Sequence, residues 1–180
     1  QTLWIRSSHV VFGWGPLGGG PPTRVAVIEL VIAAGPGGKG TVWFDGLWFR
    51  DDTYRLTPVV RASSALPGHE PEKALSASRT SSWRSEATDE PQWLIIDFLQ
   101  EREYGGLVIH WEKRLQAKQF DVQVSADGHE WSTAYAASQG NAEQSYLYLP
   151  QTLSRYIRLN LAQSVEGRGF GVRSNEVRPY

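Results

Sequence analysis

The residues able to carry chemistry are few and scattered. Four histidines, His9, His69, His110 and His129, fall in separate segments, and no pair stands at H-x-x-x-H or a similar ligand spacing. Lone histidines of this kind read as surface or structural residues. No serine is framed by G-x-S-x-G, and the absence of cysteine excludes a thiol nucleophile, a thiolate metal site and a disulfide framework. Carboxylates cluster at Glu70 and Glu72 and again at Asp89 and Glu90, where a general acid and base pair would need both clusters to converge in one cleft. Solvated loops are the simpler reading. Gly13, Gly15 and Gly18 match the G-x-G-x-x-G pattern in form, but "GGPP" follows where a helix must open, so a strand connection explains them better. "GPGGKGT" at 35–41 resembles a phosphate loop, yet Ala33 stands where the first glycine belongs and Gly40 separates Lys39 from Thr41.

One stretch resists this dismissal. "ALSASRTSSWRSE", 74–86, sets Trp83 among serines, a threonine and two arginines with no helix or strand period. Such a segment could offer an indole for a ligand to stack on, or a ring of oxygens to hold a cation.

The elements that must position these residues are nearly all β. Phe120, Val122 and Val124 alternate with polar positions, and Asp127-Gly128 then supplies a hairpin turn. Further strands are expected around residue 60 and over 92–98, 105–112, 131–137, 145–150, 154–164 and 171–177, which makes eight. Residues 1–50 hold three more strand-like runs with Trp4, Trp14, Trp43 and Trp48, joined by glycine-rich turns. Three strands cannot close a sandwich, so they are expected to be the tail of a truncated neighbouring one. The charged segment 51–56 is the expected linker, and 57–180 the main domain. At 180 residues the chain holds one ordinary domain and a fragment of another. Eighteen basic against nineteen acidic residues give a net charge of -1, which provides no overall attraction to nucleic acid or to an anionic membrane. No apolar run reaches the ~20 residues of a spanning helix, and the first residues lack a signal-peptide layout. The absence of methionine, with glutamine first, leads us to expect a piece cut from a longer polypeptide.

From about residue 57 to 178 the chain resembles the discoidin, or coagulation factor five/eight C-type, family, which includes the sugar-binding modules of carbohydrate-binding family 32. The resemblance is carried, in the family's order, by "ASSALP" (62–67), "KALSASRTSSWRS" (73–85), "PQWLIIDF" (91–98), "YGGLVIHWE" (104–112), "FDVQVSADGHEW" (120–131), "SRYIRL" (154–159) and "GFGVRSNEV" (169–177). It implies an all-β fold, an eight-stranded antiparallel jelly-roll sandwich of the galactose-binding type. The first 50 residues look like the last strands of another jelly-roll carbohydrate-binding module. The implied role is a non-catalytic accessory module that tethers a missing catalytic domain of a secreted or periplasmic, bacterial glycoside-active protein to a glycan. A spacer that has lost its site and a membrane or protein adhesion module are the competing roles. An enzyme is not expected, since no nucleophile, base or metal set converges.

The family's ligand loops map to 66–73, 83–90, 110–118 and 164–171. The sugar-binding candidates implied there are His69, Glu70, Arg84, Glu86, Trp111, Glu112, Arg168 and Phe170, with Trp111 and Phe170 as possible stacking rings and the others as hydrogen-bonding partners. Edge packing competes for Trp111, and solvation for the arginines. The same mapping turns Trp83 inward, as a plug at the barrel end. Family 32 modules commonly hold a structural calcium in a loop close to A-L-D-G-D-x-x-T-x-W. Here Ser76 and Ser78 replace the aspartates and Ala77 the glycine, while Ser81 keeps a hydroxyl and Glu176 can match the C-terminal acid. No cofactor is therefore expected, with calcium on Ser78, Ser81 and Glu176 as the alternative and closure of the loop by serine hydroxyls as its competitor.

Overall fold

The computed structural model describes residues 56–76, 78, 80–178 and, in the first fifty, 5, 27–32, 35–36 and 40–46; residue 151 and residues 174–178 are described by their backbone alone. Two compact units divide the chain, Gln1–Arg50 and Asp51–Tyr180. In the first, 27–32 and 40–46 lie in no strand and carry exposed apolar side chains, Trp43 at 88%. A strand exists only where a neighbour completes its ladder, and none pairs with these runs among the described residues. The strand expected over 4–14 lies, but for Ile5, outside the described residues.

Among the described residues, the second unit holds seven strands and one 3-10 turn. They run β1 (Val59–Ala62), the turn Pro71–Leu75, β2 (Trp83–Arg84), β3 (Gln92–Trp111), β4 (Ala117–Ser125), β5 (Ser132–Ala137), β6 (Gln144–Ser164) and β7 (Gly171–Arg178). All pairings are antiparallel. The long strands β3 and β6 lie side by side and pass together from one layer to the other. The first half of β3 joins β1, the second half of β6 joins β4 and then β5, and these make one layer. The second half of β3 joins β7 and then β2, with the start of β6 on its other side, and these make the second. Each strand expected from residue 57 onward is found, but 92–98 with 105–112, and 145–150 with 154–164, are single strands that bend.

The bend has a visible cause. Register shifts separate Asp97 from Arg102 and Tyr104 from Gly106, and Leu99 takes a positive φ of 61°. The Asp97 carboxylate accepts the Leu99 N–H at 2.8 Å and the Arg155 guanidinium on both oxygens, at 2.7 and 2.9 Å. That staple ties the corner of β3 to the corner of β6. Inside, residues two apart on each strand point to one core: Leu94 and Ile96, Leu107 and Ile109, Phe120 and Val122, Leu147 and Leu149, Ile157, Leu159 and Leu161. Burying each such side chain is worth ~1.5–3 kcal/mol. The strand ends converge so that 63–70, 85–91, 112–116 and 165–170 form the connections at one end of the sandwich.

Candidate ligand-binding site

The loops at that end are tied together by their backbones. Leu66 N–H donates to Arg84 C=O at 2.9 Å, Ser85 N–H to Phe170 C=O at 2.9 Å, Glu112 N–H to Gly171 C=O at 2.8 Å and Gly171 N–H to Leu115 C=O at 2.9 Å. Two glycines allow this approach. Gly169 has φ +86°, and a Cβ there would stand 2.9 Å from the Glu86 carbonyl oxygen. A Cβ on Gly171 would meet the Glu112 Cβ at 2.7 Å. Both positions therefore require glycine.

On this frame a polar hub forms around Glu112. Its carboxylate accepts Ser82 Oγ–H at 2.6 Å and Arg84 Nε–H at 2.8 Å on Oε2, and a second guanidinium N–H of Arg84 on Oε1. Burial pushes the Glu112 carboxyl up, but the hydrogen bonds and charge of Arg84, with the Ser82 hydroxyl, outweigh it and hold the group below its ordinary value. Behind it, His69 Nδ1–H donates to the Ser82 carbonyl at 2.9 Å. Three of the expected contacts, His69, Arg84 and Glu112, thus come together, bonded to one another and to Ser82. Arg84 keeps 36% of its side chain in solvent beside Glu112.

The rest stand around the hub. Glu70 is exposed, receives the Gly68 N–H at 3.0 Å and pairs with Lys73 at 3.0 Å; its own backbone N–H and Lys73 lower its pKa. Glu86 is exposed and anchored only by its backbone, its N–H donating to Ser64 Oγ at 3.0 Å. Arg168 is 72% exposed, 3.9 Å from Glu166, which also faces Arg114 at 3.6 Å. Lys113 is exposed.

Two expectations are corrected. Trp111 and Phe170 are 1% and 4% exposed, so neither presents a ring face to a ligand. Trp111 packs edge-on against Phe120 at 5.3 Å and donates Nε1–H to Ser145 at 2.8 Å, which satisfies both its apolar body and its polar tip. Phe170 is drawn inward because its N–H and C=O are both bonded to Ser85. Trp83 is fully buried, as the mapping implied, with Nε1–H on the Ser64 carbonyl at 2.9 Å. The residues that were missed are Ser82 and Ser85, both buried hydroxyls that join the loops. Their signal in the sequence was a serine on each side of the plugging tryptophan, one residue before it and two after.

The serine loop is closed by its own hydroxyls. Ser78 N–H donates to Ser76 Oγ at 3.2 Å, Thr80 N–H to Ser78 Oγ at 3.4 Å, and Ser78 and Thr80 hydroxyls share a hydrogen bond at 2.9 Å. Ser81 contributes its backbone N–H to the Ser78 carbonyl at 3.2 Å. Calcium takes six to eight oxygens with carboxylates among them, whereas the Ser76, Ser78 and Thr80 hydroxyls are neutral and already bonded within the loop. Glu176 lies on β7 opposite Val108, and its side chain is outside the described residues. Among the described residues no three His, Cys, Asp or Glu side chains gather as a metal site, and no helix is long and apolar enough to cross a membrane.

Two bent strands shared between antiparallel layers, with four loops locked over one end, define a jelly-roll sandwich of the galactose-binding kind. The F5/8 type C domain model matches residues 59–175, and the chain belongs to that family. Coagulation factor VIII of Mus musculus is 30% identical over 95 residues, 46% of this chain, and the match spans 4% of that protein's length. Among solved structures, a chitosan-binding module 2 in complex with chitotriose, from a Paenibacillus sp. IK-5 chitosanase/glucanase, is 23% identical with a TM-score of 0.65, over 69% of this chain and 98% of that one. A family 32 module of Clostridium perfringens NanJ in complex with galactose is 11% identical with a TM-score of 0.61, over 67% and 93%.

Proposed function

We propose that residues 57–178 form a carbohydrate-binding accessory module of a larger glycoside-active protein, with the glycan held at the loop end by polar groups and no stacking ring. The observation that carries this reading is the hub. Arg84 is fixed on Glu112 yet keeps a third of its side chain in solvent, with Glu86, Lys113 and Arg168 exposed on the neighbouring loops. A preset arginine and carboxylate offer charge-assisted hydrogen bonds to sugar hydroxyls at little further ordering cost. Family membership and the fold shared with modules solved with chitotriose and with galactose support the choice of ligand class. The hydroxyl-closed serine loop holds this end without calcium. Residues 1–50 belong to a neighbouring module, and the whole protein works outside the cytoplasm, where polymeric glycans are met. Binding to a broad glycan array tests the proposal, and a flat response across neutral, amino and acidic glycans overturns it.

One observation favours a second reading. The burial of Trp111 and Phe170 is what a spacer module without a ligand site would show. The flat array response that removes the first reading supports this one. Membrane adhesion has weaker support, because Leu115 is half-buried and packs where a Gly171 Cβ would lie, 3.1 Å away.

A further inference from the structure

The opposite end of the sandwich carries a groove that the loop-end reading does not use. It has a volume of about 600 Å³, within the ~300–1,000 Å³ of small-molecule sites, and lies between the β4–β5 turn and the corner of β6. One wall is the indole of Trp131, whose orientation is fixed by the Arg158 guanidinium 4.1 Å over the ring and by Tyr156 edge-on at 6.3 Å. Hydroxyl side chains, Thr133 and Thr152 among them, and the apolar ring of Pro150 also line it.

Both charged residues that line it, Asp127 and Glu130, are acidic. A cation stands beside it, Arg158 on the Trp131 ring, which is bonded to Gln123. Asp127 accepts the N–H groups of His129 at 2.8 Å and Glu130 at 3.0 Å, and the Ser125 hydroxyl at 3.0 Å, on one oxygen. Those bonds keep its carboxylate ionised and rigid. An aromatic side chain, several hydroxyls and two carboxylates on one lining together match a ring that has an apolar C–H face, several hydroxyls and a protonated amine.

We infer that this groove, lined by Trp131, Asp127 and Glu130, is a second glycan-binding site, selective for a protonated amino sugar and separate from the loop end. Two sites at opposite ends would let one module bridge two chains of a polymer, or bind one polymer with avidity.

Isothermal titration with the trimer of β-1,4-linked glucosamine, against the same trimer fully N-acetylated, tests it. The acetyl group removes the charge and keeps the rings. We expect the glucosamine trimer to bind at least fivefold tighter, the Trp131→Ala variant to lose about tenfold, and Glu130→Gln, on an exposed turn, about threefold. In the loop-end triple variant Glu86→Ala, Lys113→Ala, Arg168→Ala, which removes groups proposed to hold glycan there, the preference for the glucosamine trimer over the acetylated one should persist. Equal affinity for the two trimers overturns the inference, as does undiminished binding by Glu130→Gln. No heat with glucosamine trimer at millimolar concentration also overturns it. Loss confined to the loop-end triple overturns the groove while leaving the loop-end reading intact, so the two fail separately.

Discussion

Replacing Glu112 by glutamine removes the charge at the centre of the loop end while keeping its shape. In the native protein the carboxylate accepts three hydrogen bonds, one from Ser82 and two from Arg84. The amide can accept on its oxygen only and turns an N–H₂ towards the other donor. A charge-assisted hydrogen bond is worth ~1.5–3 kcal/mol, and severing a fully buried ion pair costs ~3–5 kcal/mol. Arg84 is 36% exposed, so water takes over much of what the carboxylate gave, and surface pairs are worth at most ~1 kcal/mol. The expected loss lies between those limits, at ~1–2 kcal/mol, or roughly 3–8 °C in Tm for a unit of this size. The sign with pH follows from the lowered pKa of Glu112. A carboxyl held below its unfolded value adds stability that is present above about 4.5 and fades as pH falls through the lower folded value. Wild type and variant should therefore differ most at pH 7 and converge as pH falls below 4. Urea unfolding followed by the fluorescence of the buried tryptophans at pH 7, with melting curves down to pH 3, measures both. A difference under ~0.3 kcal/mol at pH 7, or one that does not shrink in acid, would refute the hub as a charge-held structure.

Three further outcomes follow from the same geometry. Gly169→Ala places a Cβ 2.9 Å from the Glu86 carbonyl at a φ of +86°, and should cost ~1–3 kcal/mol in urea unfolding, whereas Gly167→Ala, strained in φ but in open space, should cost less. Because the serine loop is closed by hydroxyls, a millimolar calcium addition and a chelator should each leave Tm within ~1 °C; a rise of several degrees with calcium would show that Ser78, Ser81 and Glu176 form a site after all. Asp127, held at about 2 by the N–H groups of His129 and Glu130 and by the Ser125 hydroxyl, should show a carboxyl titration midpoint near that value by NMR. In Ser125→Ala the midpoint should move up towards the ordinary 3.8.

What could be read from the sequence was what is periodic. Phe120, Val122 and Val124 alternate into the core in the way their spacing implied, and the Asp127-Gly128 turn stands where it was placed, with Gly128 at φ +80°. The long strands were read in halves because the polar run through Gln100–Glu103 breaks the alternation just where β3 turns the corner on Leu99. β2 went unseen because two residues carry no period. At the site, Arg84 and Glu112 were both named, but nothing in a sequence shows that residues 28 apart, one on β2 and one past the end of β3, clasp each other. Phe170 misled for a physical reason. Gly169 and Gly171, on either side of it, let the backbone come close enough to bury the ring.

A ¹⁵N-HSQC titration of the chain with chitotriose and with galactose tests most directly whether glycans are held on polar groups at the loop end. Binding should shift the amides of 84–90, 112–114 and 166–168 and leave the side-chain indole signals of Trp83 and Trp111 in place. Saturating shifts elsewhere with none in those loops, or no shifts with either sugar at tens of millimolar, would contradict it.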